Sequence, residues 1–475
     1  MPEEILLREK YGPFGREKIY VKPEFQDDIV CVESSVSYAH TYRVRLLEFL
    51  RQVFLPQGYP DSVSSDYFNY QIWDTVQAFC STLTGTLAAR AIMAGIGVGS
   101  ADATPLAAAI TWIFKDGTGM VGSICFAWWK GTSLDADCKK WRLTADVLND
   151  VAFCLELLLP FFRNWSTLVL CVSTTLKAVV GVAGGATRAA ITQHQAIRDN
   201  MADVSAKDGS QERFVNLTAC LVGIFLLSTI PEGWFVWVIF ALLTIIHIYA
   251  NFKAVQSLTL TTLNHTRYCI ILDTLKEEGN KFIIESPKNV NRRELSFSIN
   301  EQYLGGFKII LGASLSTLVA RKIVTYEKIK LLQDLFHGKK YMLIPDLDSR
   351  IVSVVFKPKE KPCDVIEAFF HANLLTCMGD VNYDNVPPHG MIPRKNKRPL
   401  GYLFTSPNAD SHQFTTAAIE KLNEAHSEKF SQFLKALHAS GWTTTNHHLI
   451  VDEWRVQWTN SENNETIWDK SSKDD

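Results

Sequence analysis

The chain lacks the short signatures that usually betray an enzyme. No G-x-S-x-G, H-E-x-x-H or P-loop occurs, so the hydrolase, zinc-protease and nucleotidase classes have no motif to stand on. Ten cysteines are scattered without a C-x-x-C pair or the His/Cys spacing of a zinc site. Many lie in apolar runs (Cys80, Cys125, Cys154, Cys171, Cys220), where a thiol acts as a small hydrophobe; the polar domains are expected to face a reducing compartment. An excess of either charge is also missing. With 48 Lys and Arg against 50 Asp and Glu, the net charge is −2, and no nucleic-acid partner is expected. The N-terminus, MPEEILLREKYG, has early acids and no apolar core. It reads as neither signal peptide nor transit peptide, so membrane insertion would use internal segments.

What is present is segregation. Overall, 47% of residues are hydrophobic and 21% charged, which by itself looks like an ordinary soluble protein. Yet Val76 to Ala250 is rich in Ala, Gly, Val, Leu, Ile and Trp, and the flanks hold most of the Lys and Glu. Phe214–Ile230 and Trp234–Ala250 are free of Asp, Glu, Lys and Arg, with His247 their one ionisable side chain. Runs of this length span roughly 25 Å as helix, the short end for a hydrocarbon core. They read as a helical hairpin turning at Pro231-Glu232-Gly233. Lys207, Arg213, Lys253 and Arg267 flank it, which places both ends in the cytosol by the positive-inside rule.

The fold class expected is mainly α: a multi-helix membrane-embedded domain with GxxxG-type packing (Gly95/Gly99, Gly181/Gly185), followed by a small α+β cytosolic domain. The expected divisions are an N-terminal tail at 1–43, the helical domain at 44–290, a linker at 291–324, the α+β domain at 325–459 and a disordered tail at 460–475. REKIYV reads as a strand and Thr41–Phe54 as an amphipathic helix. Asp61 or Ser62 could cap a helix starting near Val63. Tyr59, Tyr67, Tyr70 and Trp73 suit a membrane interface or a domain core. Asn200–Glu212 reads as a polar, structured cytosolic loop. Further on, YMLIPD and RIVSVVFK read as strands, CDVIEAFFHANLLTCM and FTTAAIEKLNEAHSEKFSQFLKALHASGW as helices, and HLIVDEWRVQW as a closing strand.

Four features could carry chemistry. Gly117-x-Gly119-x-x-Gly122, with Asp135 and Asp137 some 20 residues on, is a literal dinucleotide fingerprint. No strand feeds it, and the glycines read better as a break in an apolar helix. Lys115, Asp116, Arg90, Lys177 and Arg188 are the charges within apolar stretches. An ionised group at mid-bilayer costs about 2.5–3.5 kcal/mol on insertion scales, so these five are candidates to line a polar cavity or ligand path, or else pair or snorkel. Asp146 and Asp150, one helical turn apart, are a candidate divalent-metal site against a diphosphate. The bland alternative is one capping and one solvated or Lys-paired Asp. His447-His448 reads as a solvated loop pair, and Arg394–Arg398 as a solvated loop rather than a nuclear signal or a headgroup contact.

FLPQGYPDSVSSDYFNYQIWD, WIFKDGTGMVG, DADCKKWRLTADVLND and NMADVSAKDGSQE, in that order, resemble the Root UV-B sensitive family, also known as a domain of unknown function. The resemblance runs from about Val44 to Asn289, with Gly117, Gly119, Lys207, Asp208, Gly209 and Gln211 as structural motif residues; the C-terminal part resembles the family more loosely. It implies a membrane protein; the partners expected are the lipid bilayer and a second copy or a family member. Plant members sit in plastids and are linked genetically to UV-B response, auxin transport and vitamin B6 homeostasis. No catalytic residue carries over, and none is expected here. Pyridoxal phosphate is implied as a cofactor only by that analogy. The expected function is an integral membrane protein, transporter-like or a scaffold, handling a small polar molecule. The alternatives are a soluble or peripheral interaction protein with a buried helical core, and a membrane enzyme using Asp146 and Asp150.

Overall fold

The computed structural model describes residues 4–10, 17–22, 29–33, 38–95, 105–229, 233–278, 281–294, 304, 307–346, 349–380 and 416–458. Gly99, Arg394–Arg398 and the tail from Asn460 lie outside these residues. By internal contacts the chain divides into two units, Met1–Leu134 with Cys138–Leu258, and Asp135–Asp137 with Thr259–Asp475.

The first unit opens with an antiparallel sheet of β1 (Glu4–Lys10), β2 (Glu17–Lys22) and β3 (Val30–Glu33). β2 is the strand read from REKIYV. The amphipathic helix is α1 (Tyr38–Phe54). Six long helices follow: α2 (Tyr67–Gly95), α3 (Pro105–Lys130), α4 (Cys138–Leu157), α5 (Ser166–Gln195), α6 (Met201–Thr229) and α7 (Trp234–Ser257).

Side-chain contacts fix how these helices run. On α2 and α4, Asp74 meets Arg142, Gln77 meets Asp146 and Ser81 meets Asn149, so the two helices are parallel. Gln71–Asp208 and Thr82–Asn216 make α6 parallel to α2. Trp73–Tyr249 and Gln77–His247 make α7 antiparallel to it. Glu156–Ser173, with Ala145 and Ala183 in one cluster, makes α5 antiparallel to α4. The helices thus alternate in direction along the chain. One end gathers the start of α2, the α3–α4 and α5–α6 connections and the end of α7. Lys130, Lys139, Lys140, Arg198 and Lys253 lie near that end.

The outward faces are apolar and uncovered. Ile113, Met120, Ile124 and Trp128 on α3, Leu221, Ile224 and Phe225 on α6, and Leu242 and Ile245 on α7 are each more than half exposed. Among the described residues three helices, α5, α6 and α7, are long and apolar enough to cross a membrane, yet only 17%, 11% and 17% of their most apolar stretches are buried. A soluble helical core would cover such faces, since contiguous exposed apolar area of this extent marks an interaction with lipid or protein. The expectation of a buried helical core does not fit this burial.

Several expectations need correction. Residues 200–212 are not a loop; all but Asn200 form the first turns of α6. They are polar because Lys207 and Gln211 donate to the backbone oxygens of Gln52 and Phe54 at the end of α1, and Asp203 accepts from the Gln57 N–H. Those carbonyls have no partner within their own helix. Gly117 and Gly119 do not break α3, which runs unbroken from Pro105 to Lys130. Mid-helix glycine costs only about 1 kcal/mol, and two of these glycines make room. A Cβ at Gly119 would lie 3.0 Å from Thr174 Cγ2, and one at Gly122 only 2.7 Å from Thr175 Cγ2, both on α5. The dinucleotide reading fails on the same ground: the glycines are helical. α2 starts at Tyr67 rather than near Val63. Tyr67 and Tyr70 are core, 1% and 4% exposed, not an interfacial belt. Gly181 and Gly185 face open space, with no heavy atom within 4 Å of an added Cβ.

The second unit is mixed; it also carries the paired strands β5 (Lys276–Glu278) and β6 (Lys281–Ile283) and the short helices α9 (Pro287–Arg293), α10 (Leu315–Ala320) and α11 (Tyr326–Leu335). A three-stranded sheet orders β7 (Lys308–Leu311), β9 (Ile351–Phe356) and β8 (Tyr341–Asp346), with β7 parallel and β8 antiparallel to β9. β8 and β9 are buried along nearly their whole length, as their unbroken apolar runs require. Helices α8 (His265–Thr274), α12 (Pro362–Asp380) and α13 (Thr416–Ala439) share one core around Tyr268, Phe369, Phe370 and Phe433. The expected closing strand from HLIVDEWRVQW is displaced. The strand is β10 (Thr443–His448), parallel to β4 (Thr262–Asn264); its three threonines suit a pleated surface. His447 and His448 are therefore half-buried strand residues rather than a solvated loop.

Candidate functional site

Polar residues recur at helical spacing on three packed helices of the first unit. α4 supplies Arg142, Asp146 and Asp150, each four residues apart and so on one face. α2 supplies Asp74 and Gln77, and α7 supplies His247 and Asn251. Together they form a chain of contacts. Arg142 donates to Asp74 at 2.8 Å. Gln77 Nε2 lies 3.1 Å from Asp146 Oδ2 and 3.0 Å from His247 Nε2. His247 Nδ1 lies 2.8 Å from Asp150 Oδ2. Asn251 donates to the Arg142 carbonyl. Gln77, Asp146, Asp150, His247 and Asn251 are all buried, His247 completely.

The depth of this stripe follows from the helix rise. Gln77 is ten residues from the start of α2 and His247 ten from the end of α7. Both distances give about 15 Å, half the thickness of a hydrocarbon core. Arg142 and Asp74 stand nearer the basic end. The stripe thus leads from that end to mid-depth. Two of its atoms, Arg142 Nε and Asp150 Oδ1, are buried without a hydrogen-bond partner. Buried polar atoms are nearly always satisfied in native proteins, so this is where a small polar guest would find open valences.

Of the residues singled out from sequence, Asp146 and Asp150 belong to this stripe. Neither caps a helix nor faces solvent: their partners are Gln77 and His247. Among the described residues no group of three or more His, Cys, Asp and Glu is arranged to hold a metal ion. The five apolar-stretch charges are not gathered at one place. Lys177 pairs with Glu156 at 2.6 Å and lies over the Phe153 ring. Arg188 bridges Asp208 and Glu212, at 2.7 and 2.5 Å, and Gln71 donates to the same Asp208. Gly209 sits beside Arg188 with only its guanidinium near an added Cβ. Lys115 contacts Asp116 at 3.5 Å and the Trp112 ring at 3.9 Å, and Gly117 faces open space. Arg90 is half-buried on α2. Gln77, Arg142, Asp74, Glu156 and Asn251 were not singled out. The one available signal was His247, alone in an apolar run.

A groove of about 410 Å³ lined by Phe114, Asn164, Trp165, Thr167, Leu168 and Cys171 lies elsewhere, between α3 and the start of α5. Its lining is mostly apolar and none of the stripe reaches it.

The second unit holds another buried titratable cluster. His371 and His426 stack with ring centroids 4.0 Å apart. Tyr341 OH lies 3.0 Å from His371 Nδ1, while His371 Nε2 and both His426 nitrogens have no hydrogen-bond partner. Burial, and then the neighbouring imidazole and Lys339, hold His371 well below the usual imidazole range. Burial and the Lys339 charge lower His426 to about 3.

Comparison with known proteins matches the chain to two family models in succession. The family model described as the vitamin B6 photo-protection and homoeostasis domain matches residues 40–279, which include the whole polar stripe. A second, described as the Root UVB sensitive protein C-terminal domain, matches residues 283–458. RUS family member 1 of Dictyostelium discoideum is 47% identical over 257 residues, 53% of this chain and 48% of that protein; the chain spans about half the length of that relative. Protein root UVB sensitive 3 of Arabidopsis thaliana is 35% identical over 337 residues, 68% of this chain and 74% of its own. Protein root UVB sensitive 6 of the same plant is 25% identical over 339 residues, 71% of this chain and 66% of its own. No solved structure matches the chain. Matched by both family models, and by a relative 35% identical over 68% of the chain, the chain belongs to the Root UVB sensitive family.

Proposed function

We propose that the helical unit is embedded in a bilayer and binds or moves a small polar molecule along the stripe formed by α2, α4 and α7. The observation that carries this reading is the combination of a buried charged stripe reaching mid-depth with uncovered apolar outer faces. A charged interior inside an apolar exterior is what a membrane protein needs to offer a solute a path, and intramembrane ionisable groups are costly enough to require a use. In this reading the chain is a transporter-like or scaffold protein rather than an enzyme, and has no nucleic-acid partner. The basic end faces the cytosol by the positive-inside rule. The chain leaves α7 at that end, so the C-terminal unit is cytosolic.

Self-association, or pairing with a family member, completes the proposal. Gly181 and Gly185 leave an open small-residue face on α5 of the kind that lets helices approach closely. Asp116 is 51% exposed about 17 Å into α3, where a second copy would relieve its contact with lipid.

Alkaline carbonate extraction of membranes carrying the full chain tests the bilayer reading: the chain should stay in the pellet, and full release would sink it. The matched family description names vitamin B6, so B6 vitamers, pyridoxal phosphate included, are the first solutes to test. Saturable binding to the purified chain, weakened by Asp150→Asn, is expected. Absence of binding removes vitamin B6 from the reading and leaves the solute to a search for co-purifying small molecules.

A further inference from the structure

Gln77 stands between two titratable groups and offers them the same atom. Its amide nitrogen is 3.1 Å from Asp146 Oδ2 and 3.0 Å from His247 Nε2. A side-chain amide has two hydrogens on nitrogen and only lone pairs on oxygen. With nitrogen facing both neighbours, Gln77 donates to each. Asp146 Oδ2 must then accept, and His247 Nε2 must carry a lone pair. The imidazole proton sits on Nδ1 and is donated to Asp150 Oδ2 at 2.8 Å. This arrangement is complete with both carboxylates ionised and the histidine neutral.

Turning the amide by half a rotation about its last bond gives a second complete arrangement. The amide oxygen now faces both neighbours, so each must donate. Asp146 presents a carboxylic O–H, and His247 presents Nε2–H. The imidazole either keeps its Nδ1 proton toward Asp150 or accepts there from a protonated Asp150. Both versions hold two protons more than the first arrangement. A proton on Nε2 alone would press a buried N–H against the amide NH₂, leaving donors without acceptors, which is costly in a buried site. Asp146 can take its proton on Oδ1 while the amide stays in place. The order is therefore set: Asp146 first, then rotation of Gln77, then His247.

We infer that Gln77 makes Asp146 and His247 a linked two-proton site, in which the histidine takes up a proton only with Asp146 protonated and the Gln77 amide turned. Arg142 and Asp74 stand beside Asp146 from α4 and α2, Asp150 is bound to the far side of the imidazole, and Cys80 and Tyr70 are the other titratable groups that α2 presents here. The linkage means that His247 changes charge together with the polar stripe rather than alone. The inference deepens the solute-path reading by coupling that path to protons, and it rests on the same stripe being a working site.

The test follows the proton directly and needs no solute. Full-length chain with ¹⁵N-labelled histidine is reconstituted in lipid nanodiscs and titrated by NMR, the His247 signals being identified by their loss in His247→Asn. The expected result is the Nδ1–H tautomer at high pH, converting to the doubly protonated ring with a slope above one, because the ring's proton requires the one on Asp146. In Asp146→Asn the added amide donates to the turned Gln77, so His247 should titrate with a slope of about one and a shifted midpoint. Gln77→Met should also give single-proton behaviour. If that variant fails to fold by size-exclusion, Asp146→Asn carries the test. An Nε2–H tautomer at high pH, or unchanged slope and midpoint in Asp146→Asn, overturns the inference. Either result leaves the carbonate and solute-binding outcomes standing.

Discussion

His247 and Asp150, 97 residues apart in the chain, face each other across the α7–α4 contact with Nδ1 and Oδ2 2.8 Å apart and both side chains buried. The pair joins a histidine that the sequence leaves alone in an apolar run to a carboxylate that the sequence offers to a metal, a cap or solvent.

Removing one partner strands the other in the interior. His247→Leu should destabilise the helical unit by about 3–5 kcal/mol, because the carboxylate keeps its burial cost and loses its donor. The double variant His247→Leu/Asp150→Leu should recover most of the loss. Thermal unfolding in detergent, compared across the two single variants and the double, measures this coupling. Additive losses would show that the pair is not coupled.

The glycines of α3 differ in what surrounds them. Gly122→Leu should cost about 1–3 kcal/mol, since the new side chain meets Thr175 where Cβ alone is already too close. Gly117→Ala should be neutral or stabilise by up to about 1 kcal/mol, because that position is open and helical. Melting temperatures of the two variants check the ordering. Equal effects would mean that α3 and α5 do not approach through Gly122.

Acid should loosen the second unit before it reaches the range of ordinary carboxylates. Unfolded histidine titrates near 6.5, whereas folded His426 titrates at about 3 and His371 well below its usual range. The unfolded chain therefore binds more protons between those values, and stability falls as pH falls. The contribution of the pair is complete above about pH 6.5 and is lost progressively toward pH 3. Hydrogen exchange over β8, β9 and α12 should speed up through that window, and His426→Phe should flatten the dependence. A wild-type profile that is flat down to pH 4 would contradict the burial of this pair.

Thiol labelling can report on the outer faces. Cys125 on α3 and Cys220 on α6 are exposed in the protein, as is Cys31 on β3. A thiol must reach water to ionise and react. In open membrane fragments a water-soluble maleimide should label Cys31 and spare Cys125 and Cys220 until detergent and denaturant are added. Labelling of Cys220 at the rate of Cys31 would place α6 in water.

Much of the secondary structure was legible because it rests on local pattern. The α6–α7 hairpin, β8, β9, α12 and α13 follow from runs and periodicities within single segments. The errors share a cause. Asn200–Glu212 has the composition of a loop, but its polar side chains are satisfied by the end of α1, so they could join a helix. The glycines of α3 resemble a break, but the helix runs through them, and Thr174 and Thr175 fill the space at Gly119 and Gly122. The strand near the C-terminus was displaced because β10 is selected by β4, some 180 residues earlier.

The sequence by itself determined the kind of object this protein is: apolar segments of spanning length, a mixed C-terminal region and a family pattern. Those properties are sums over local residues, and local residues state them. The tertiary structure alone decided which charges share an interior. Asp146 and Asp150 show a common helix face in the sequence, but nothing local says whether that face meets water, metal or another helix. Only the packing of α2 and α7 against α4 turns the face inward, placing Gln77 and His247 within hydrogen-bonding distance of the two carboxylates, while Lys115, Lys177 and Arg188 each find partners elsewhere. Partner choice depends on distances between segments that the order of residues does not contain.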